Sequence, residues 1–372
     1  MRALTAALAA VLLLHGLIHL MGFTKAFGLA RLGALTVPIS RPVGGAWLLA
    51  ALLFVASAVS LVAAPARFFV VASLAVVVSQ VVIVLAWRDA RAGTVANVIA
   101  LVAAVYTAAA FGPFGLRAEY GRRVDAGRAG LGTAMATVVT DADVAPLPPS
   151  VQRYLRYVGV VGQPHVRAFR ATFSGRIRGG PDAPWMALTG EQHNFAAPPT
   201  RLFFMDATMR GLPVDGLHAY DEHGASMRVK LLSLVPVAFA RGDAFTRTET
   251  VTVLNDMCVM APAMLVGAPI AWKELDDRHA QATYTNGANT VTAVLVFGDD
   301  GALVDFWSDD RPALSGDGKT FTPQRWSTPV GAYRAQAGVR LPSRGEARYE
   351  QAGKAYTYIE FDELAVTYDF AR

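Results

Sequence analysis

Two histidines one helical turn apart, His15 and His19, sit inside an apolar run long enough to cross a bilayer. Residues i and i+4 share one helix face, so the two imidazoles could grip a metal ion or pass a proton. A metal asks for further ligands, and no other His, Cys or acid falls within an apolar span. The expectation is therefore that the pair makes polar contacts inside a helix bundle, with Gln80, Asn97 or backbone as partners. Polar groups in hydrocarbon are costly, which makes His15, His19, Gln80 and Asn97 the positions to test in this half.

A second group lies far downstream. Trp307, Asp309, Asp310 and Arg311 follow one predicted strand, and Arg325 and Trp326 open the next. A guanidinium fork beside a carboxylate and two indoles suits a polar ligand head, and equally a structural ion pair. With Asn255 and Asp256 from a predicted helix, the candidate ligand-binding set is Asn255, Asp256, Trp307, Asp309, Arg325 and Trp326. His193, His218 and His223 fall near strand ends or turns, and a zinc site from them needs the fold to bring them together. Asp276-Asp277 and Asp299-Asp300 fall at hairpin ends and read as solvated turn residues. Cys258 is the one cysteine, which excludes an intramolecular disulfide and a multi-cysteine metal site. There is no G-x-S-x-G elbow, P-loop, G-x-G-x-x-G after a strand or H-E-x-x-H helix. Catalytic residues stay unassigned, and neither a cofactor nor a metal is expected.

The elements that must hold these residues differ between the two halves. Residues 4–22, 44–63, 67–87 and 94–111 are four apolar runs near the length of a membrane-spanning helix, with Arg and Lys at their ends and Trp47 and Trp87 at belt positions. Residues 1–114 thus read as a four-helix transmembrane module, residues 115–145 as a linker with some helix, and residues 146–372 as a β-rich soluble domain. An even number of crossings puts the N-terminus and the soluble domain on the same side of the cell (inner) membrane. Arg2, Arg67, Arg117, Arg122, Arg123 and Arg128 against Lys25, Arg31, Arg41, Arg88 and Arg91 lean that side towards the cytoplasm.

In the soluble domain, Val151, Tyr154, Leu155 and Val158 make one apolar stripe on a short helix over 150–158, with Ser150 as N-cap and Gly159 as stop. From residue 165 the period changes to two. Strands are expected at 165–178, 184–195, 201–209, 213–221 and 225–231, then at 270–285, 289–298, 302–309, 325–336, 340–350 and 355–369. Asn286-Gly287 and Asp300-Gly301 are hairpin turns, because these residues accept the positive φ required. Between the two blocks, residues 248–265 read as a helix capped by Thr248. Val251, Leu254, Cys258, Ala261 and Leu265 form its buried stripe, while Glu249, Thr252 and Asp256 face solvent or a cavity mouth. The predicted fold is α+β, a large curved antiparallel sheet, open and barrel-like, covered by one or two helices.

Residues 1–114 hold seven Lys or Arg and one acid, Asp89, so 34 − 7 = 27 basic and 29 − 1 = 28 acidic residues remain for the rest. The positive surplus belongs to the membrane half, which removes the basic patch a nucleic-acid-binding domain would show.

Several stretches carry a resemblance. HGLIHLMGFTKAFG (15–28), PISRPVG (38–44), WRDARAGTVAN (87–97), LPPSVQRYLRYVGVVGQP (147–164), ETVTVLNDMCVMAPAML (249–265) and RWSTP (325–329) resemble an uncharacterised bacterial family of membrane proteins with a domain of unknown function. That family brings no activity or catalytic residues. Tyr333 followed by Gly338-Val339-Arg340-Leu341-Pro342 is similar to a strand pair of the curved-sheet lipoprotein carriers, which implies an apolar inner face covered by helices.

The function expected from these features is a membrane-anchored β domain that binds or passes an apolar or lipid-like ligand without catalysis, with membrane lipids as partners. Two alternatives stand beside it. One is an enzyme on a membrane-associated substrate using Asp256, Asp309 and Arg325 as acid, base and anchor. The other is a structural or signalling partner protein.

Overall fold

The computed structural model describes residues 2–30, 32–132 and 137–368. It divides into two units, Met1–Glu119 and Tyr120–Arg372. Arg31, residues 133–136 of the expected linker and residue 369 of the last expected strand lie outside the described residues.

The first unit holds α1 (Arg2–Ala26), α2 (Arg41–Ala63), α3 (Pro65–Leu85) and α4 (Gly93–Phe111), each packed on the next in sequence. Pro42 and Pro65 stand in first turns, where a missing N–H costs nothing. Small residues let the helices approach closely. A Cβ on Gly22 would fall 2.1 Å from the Trp47 ring, and one on Gly44 would fall 2.3 Å from Ala26. Leu14, Leu17, Val59, Val62, Val77 and Val102 are each more than half exposed. Four helices long and apolar enough to cross a membrane, with apolar side chains on their outer faces, describe a multi-pass membrane protein. Asp89 fastens the loop after α1, accepting from the Val37 N–H at 2.8 Å and the Thr36 hydroxyl at 2.8 Å. Lys25 donates to the Leu35 and Val37 carbonyls from the other side, at 2.5 and 2.8 Å.

The second unit follows α5 (Leu116–Gly130) with α6 (Pro149–Val158), then six strands: β1 (Ala168–Ile177), β2 (Met186–Ala196), β3 (Pro199–Met209), β4 (Leu212–Asp221), β5 (Gly224–Leu231) and β6 (Val235–Arg241). After α7 (Asp243–Met260) come β7 (Ile270–Asp276), β8 (His279–Asn286), β9 (Asn289–Phe297), β10 (Leu303–Ser308), β11 (Trp326–Ser327), β12 (Arg344–Gln351) and β13 (Lys354–Tyr368). Among the described residues, one curved antiparallel sheet of 14 strands runs β6-β5-β4-β3-β2-β1-β13-β12-β11-β10-β9-β8-β7, with the short strand Val330–Gly331 beside β12. The last long strand, β13, therefore joins two meanders between β1 and β12. The free edges are β6 and β7, and α7 is the segment that links them, so it has to cross one face of the sheet from edge to edge. Eighteen residues of helix at about 1.5 Å each reach about 27 Å.

That crossing explains where the structure departs from expectation. The helix starts at Asp243, after Gly242 at φ 102, instead of at Thr248, and it ends at Met260. Pro262 removes the next helical N–H, leaving only a 3-10 turn over Pro262–Leu265. Both stripes are buried: every residue from Thr248 to Met260 is shielded, including Glu249, Thr252, Asn255 and Asp256, because the curved sheet surrounds the helix. Ser150 is not the N-cap of α6. The helix begins with Pro149, and Ser150 gives its N–H and hydroxyl to Glu274 at 3.1 and 2.7 Å. The expected strand over 325–336 is broken at Pro329 into Trp326–Ser327, Val330–Gly331 and Arg334–Gln336. Strand β6 was not expected; its Pro236 is tolerated because the strand is an edge. The Asn286-Gly287 turn joins β8 and β9 with Gly287 at φ 56, and Gly301 turns at φ 86.

From Tyr120 onward, α5 covers the outer face of β2–β4. Tyr120 shares a hydrogen bond of 2.7 Å with His193 Nδ1 and packs its ring on Phe204. A Cβ on Gly127 would meet the Phe195 ring at 2.4 Å, so glycine sets how closely the helix lies.

Candidate functional site

Side chains directly opposite in neighbouring strands point to the same face, and the face alternates along each strand. On the face that holds α7, the register of β2–β5 produces four successive rows. The first is Asn194, Arg201, Tyr220 and Ala225; the second is Gln192, Phe203, His218 and Met227. The third is Gly190, Met205, Gly216 and Val229, and the fourth is Leu188, Ala207, Val214 and Leu231. Polar groups occupy the first two rows and the last two are wholly apolar. Gly190 and Gly216 make room for flat-lying neighbours, since a Cβ would come within 2.7 Å of Phe203 and 2.6 Å of Met205 respectively.

Helix α7 meets the polar rows. Asp256 Oδ2 accepts from Arg201 Nε at 2.7 Å, Gln192 Nε2 at 2.6 Å and Asn194 Nδ2 at 3.1 Å. Glu249, about two turns back, stands between two guanidiniums, with Arg201 at 3.5 Å and Arg311 at 3.4 Å. Arg311 also gives Nε to Thr252 at 2.9 Å, reaches the hydroxyls of Tyr349 and, at 3.5 Å, Tyr358, and lies over the Trp326 ring at 4.2 Å. Trp326 in turn donates to Tyr358 at 3.1 Å, and Asn255 donates to Thr328 at 2.6 Å. Burial presses the Glu249 carboxyl upward, but Arg311 and Arg201 outweigh it and hold it below the ordinary glutamate value. Burial raises Asp256, against the pull of Arg201 and the amide hydrogen bonds. His218 belongs to the second row, its ring against Phe203, and among the described residues neither ring nitrogen has a hydrogen-bond partner. Burial drops its imidazole to about 4, Glu249 pulling up and Arg201 and Arg311 pushing down, so it is neutral near pH 7. Burial also pushes the Cys258 thiol up, which removes it as a nucleophile.

The candidate set from the sequence falls on two faces. Asn255, Asp256 and Trp326 lie on the inner face within this network. Trp307, Asp309 and Arg325 lie on the outer face, where Arg325 forks onto Asp309 with two contacts of 2.9 Å and stacks 3.9 Å over Trp307. Register puts Ser308 opposite Trp326, so its neighbours Trp307 and Asp309 point away. An acid–base pair of Asp256 and Asp309 with Arg325 therefore has no common site. The three histidines are also separated: His193 faces outward to α5, His218 inward, and His223 sits in the exposed turn after β4. Among the described residues no three His, Cys, Asp or Glu gather as metal ligands.

Sequence reasoning missed Gln192, Asn194 and Arg201, and it named His218 only as a zinc candidate and Glu249 only as part of a stripe facing solvent or a cavity mouth. The signal was present: Gln192 and Asn194 have the same strand parity as Leu188, so an inward-facing strand carried consecutive polar positions. In the membrane unit, Asn97 Oδ1 receives His15 Nε2 at 3.1 Å and the Ser79 hydroxyl at 3.0 Å, while Asn97 Nδ2 donates to Gln80 at 2.9 Å. His19 Nδ1 is 2.8 Å from the His15 carbonyl, one turn back.

Residues 137–361 match the model of a family of unknown function, DUF6544. The chain belongs to this family. A comparison with curated proteins returned no match. Among solved structures, the chain is similar to a DUF1329 family protein from Desulfovibrio piger, at 11% identity and TM-score 0.34 over 63% of this chain and 94% of that one. It is also similar to a putative outer membrane lipoprotein-sorting protein domain from Vibrio parahaemolyticus, at 9% identity and TM-score 0.32, covering 60% and 91%. A LolA superfamily protein from Nitrosomonas europaea matches at 9% identity and TM-score 0.27, covering 63% and 96%. Likenesses this distant say nothing about the ligand or activity of this DUF6544 member.

Proposed function

We propose that the β-rich unit holds an amphiphilic molecule against the inner face of its sheet, and that the four-helix unit anchors it in a membrane. The observation that carries this is the change of character along that face. The hydrogen bonds of α7 to β2–β4 fall in the first two rows, among polar groups. Beyond them the face continues as apolar side chains that stay buried along β2–β4, with Leu188, Met205, Ala207 and Val214, and are only partly buried towards β5 and β13. Phe173, Phe203, Met205 and Leu188 are buried; Ile177, Met227, Val229, Leu231, Ile359 and Phe361 are only partly so. At the far ends of the strands Leu212 and Val235 are 44% and 52% exposed. An apolar strip of this kind, ending inward at a few fixed polar groups, is the usual form of a site for a molecule with a tail and a head.

The test is lipid extraction and native mass spectrometry of the full chain purified in mild detergent. A co-purifying amphiphile, reduced in Val229→Trp and Leu231→Trp variants that fill the apolar rows, is the expected result. Protein that emerges empty in repeated preparations, or an amphiphile indifferent to both variants, rejects the reading.

A further inference from the structure

The chemistry at the boundary between the polar and apolar rows bears on the kind of head the amphiphile carries. Two buried arginines would ordinarily mark a site for a carboxylate or phosphate, whose oxygens match the guanidinium fork. Here neither fork is available. Arg201 spends Nε on Asp256 at 2.7 Å, one Nη on the Gln192 side-chain carbonyl at 3.1 Å and the other on Glu249 at 3.5 Å. Arg311 spends its nitrogens on Thr252, Glu249, Tyr349 and Tyr358, and its flat face on Trp326. The two positive and two negative charges of Arg201, Arg311, Glu249 and Asp256 cancel. Within the network of described residues an arriving anion would find both guanidiniums already engaged, would lose its water, and would stand beside two carboxylates.

What does face the apolar rows is His218. It shares its row with Met227 and lies one row from Val229. A neutral imidazole offers one N–H donor and one lone-pair acceptor, and both are without a partner among the described residues. A hydroxyl group can donate to one such nitrogen and accept from the other type. From the His218 row to the Leu231 row is four residues of strand, about 14 Å, which an alkyl chain can follow.

We propose that the molecule held on the inner face has an uncharged, hydroxyl-bearing head, as in an acylglycerol or a long-chain alcohol, placed at His218, and that anionic amphiphiles are selected against. This rests on the amphiphile reading of the same face.

The experiment compares binding of 1-palmitoylglycerol, hexadecanol, palmitate and dioleoyl phosphatidic acid to the delipidated full chain at pH 7.5, by native mass spectrometry in a non-ionic detergent. The expected order has the two hydroxyl-headed compounds at least tenfold tighter than the two anions. His218→Phe, which keeps the ring against Phe203, lowers hydroxyl-head affinity about tenfold and leaves the weak binding of palmitate unchanged. Glu249→Gln adds one net positive charge and shifts the preference towards palmitate. Palmitate or phosphatidic acid binding as tightly as the hydroxyl-headed compounds overturns this proposal while leaving the amphiphile reading intact. Unchanged hydroxyl-head affinity in His218→Phe overturns the placement of the head. If none of the four compounds binds, the amphiphile reading itself falls.

Discussion

Replacing Glu249 by Gln preserves shape and removes one charge from the middle of a closed ionic network. Glu249 is 3% exposed and touches Arg201 and Arg311 at 3.5 and 3.4 Å. At an effective dielectric constant of about 20, each contact contributes about 5 kcal/mol of attraction, about 10 kcal/mol for the pair. Against this, the variant no longer has to strip water from a carboxylate, which returns several kcal/mol. The difference, about 3–5 kcal/mol, is the cost usually found when one partner of a buried pair is removed. It is a large share of the roughly 5–15 kcal/mol by which a domain is stable. Denaturant unfolding of the detergent-solubilised chain, followed by tryptophan fluorescence, reads it directly. Adding Arg311→Met restores neutrality, so the double variant is expected to be at least about 2 kcal/mol more stable than the sum of the two single losses predicts. A Glu249→Gln cost below about 1 kcal/mol, or strict additivity in the double variant, refutes the reasoning that the four charges act as one unit.

His218 gives a pH dependence of definite sign. Its folded value of about 4 lies below the ordinary histidine value of about 6.5, so between these the unfolded chain binds the extra proton. Stability is complete above about pH 6.5 and falls as pH drops towards 4, by at most about 3 kcal/mol. His218→Gln is expected to flatten that part of the profile, and an unchanged slope refutes the assignment. Asp309→Asn and Arg325→Met alter an exposed pair on the other face; each is expected to cost less than about 1 kcal/mol in the same unfolding assay and to leave bound amphiphile unchanged. Loss of bound amphiphile in either would bring the outer face back into the site. Asn97→Leu removes three interhelical hydrogen bonds, each worth about 0.6–1.7 kcal/mol in a membrane, and is expected to lower the thermal stability of the helix bundle in detergent. A melting temperature equal to wild type would mean these bonds are idle.

The parts of the fold that follow from local periodicity were legible in the sequence. Uninterrupted apolar runs showed the four membrane helices, and period-two alternation showed most strands of the two meanders, with Asn-Gly and Asp-Gly turns marking the second. Strand β6 was not legible, and the single strand expected over 270–285 is the hairpin of β7 and β8. The pairing of β1 with β13 and β12 with β11 was not legible, because register between strands far apart in the chain is set by packing that no local pattern encodes. The same missing topology explains the error over α7. Its second stripe, Glu249, Thr252 and Asp256, is polar at helical spacing and reads as a face turned to solvent or a cavity mouth. Only the edge-to-edge connection from β6 to β7 forces that stripe into the sheet, against Arg201 and Arg311. Likewise Asp309, Arg325 and Trp307 are close in space to the strand that carries Trp326, and the half-period between Ser308 and Asp309 places them on opposite sides.

A helix buried on every side is free to rotate or slide unless something fixes it, since apolar packing distinguishes poorly between neighbouring settings. Positions 249, 252 and 256 are one and two turns apart, and their partners come from both meanders: Gln192, Asn194 and Arg201 from one, Arg311 from the other. A buried network of this kind adds little net stability over an apolar substitute. Its geometric effect is larger, because only one rotation of α7 satisfies all of these hydrogen bonds at once. That setting also fixes where the helix stops covering the inner face and where the apolar rows begin. Network variants that still fold are therefore expected to change which amphiphile is held, and how tightly, more than they change how much sheet is formed.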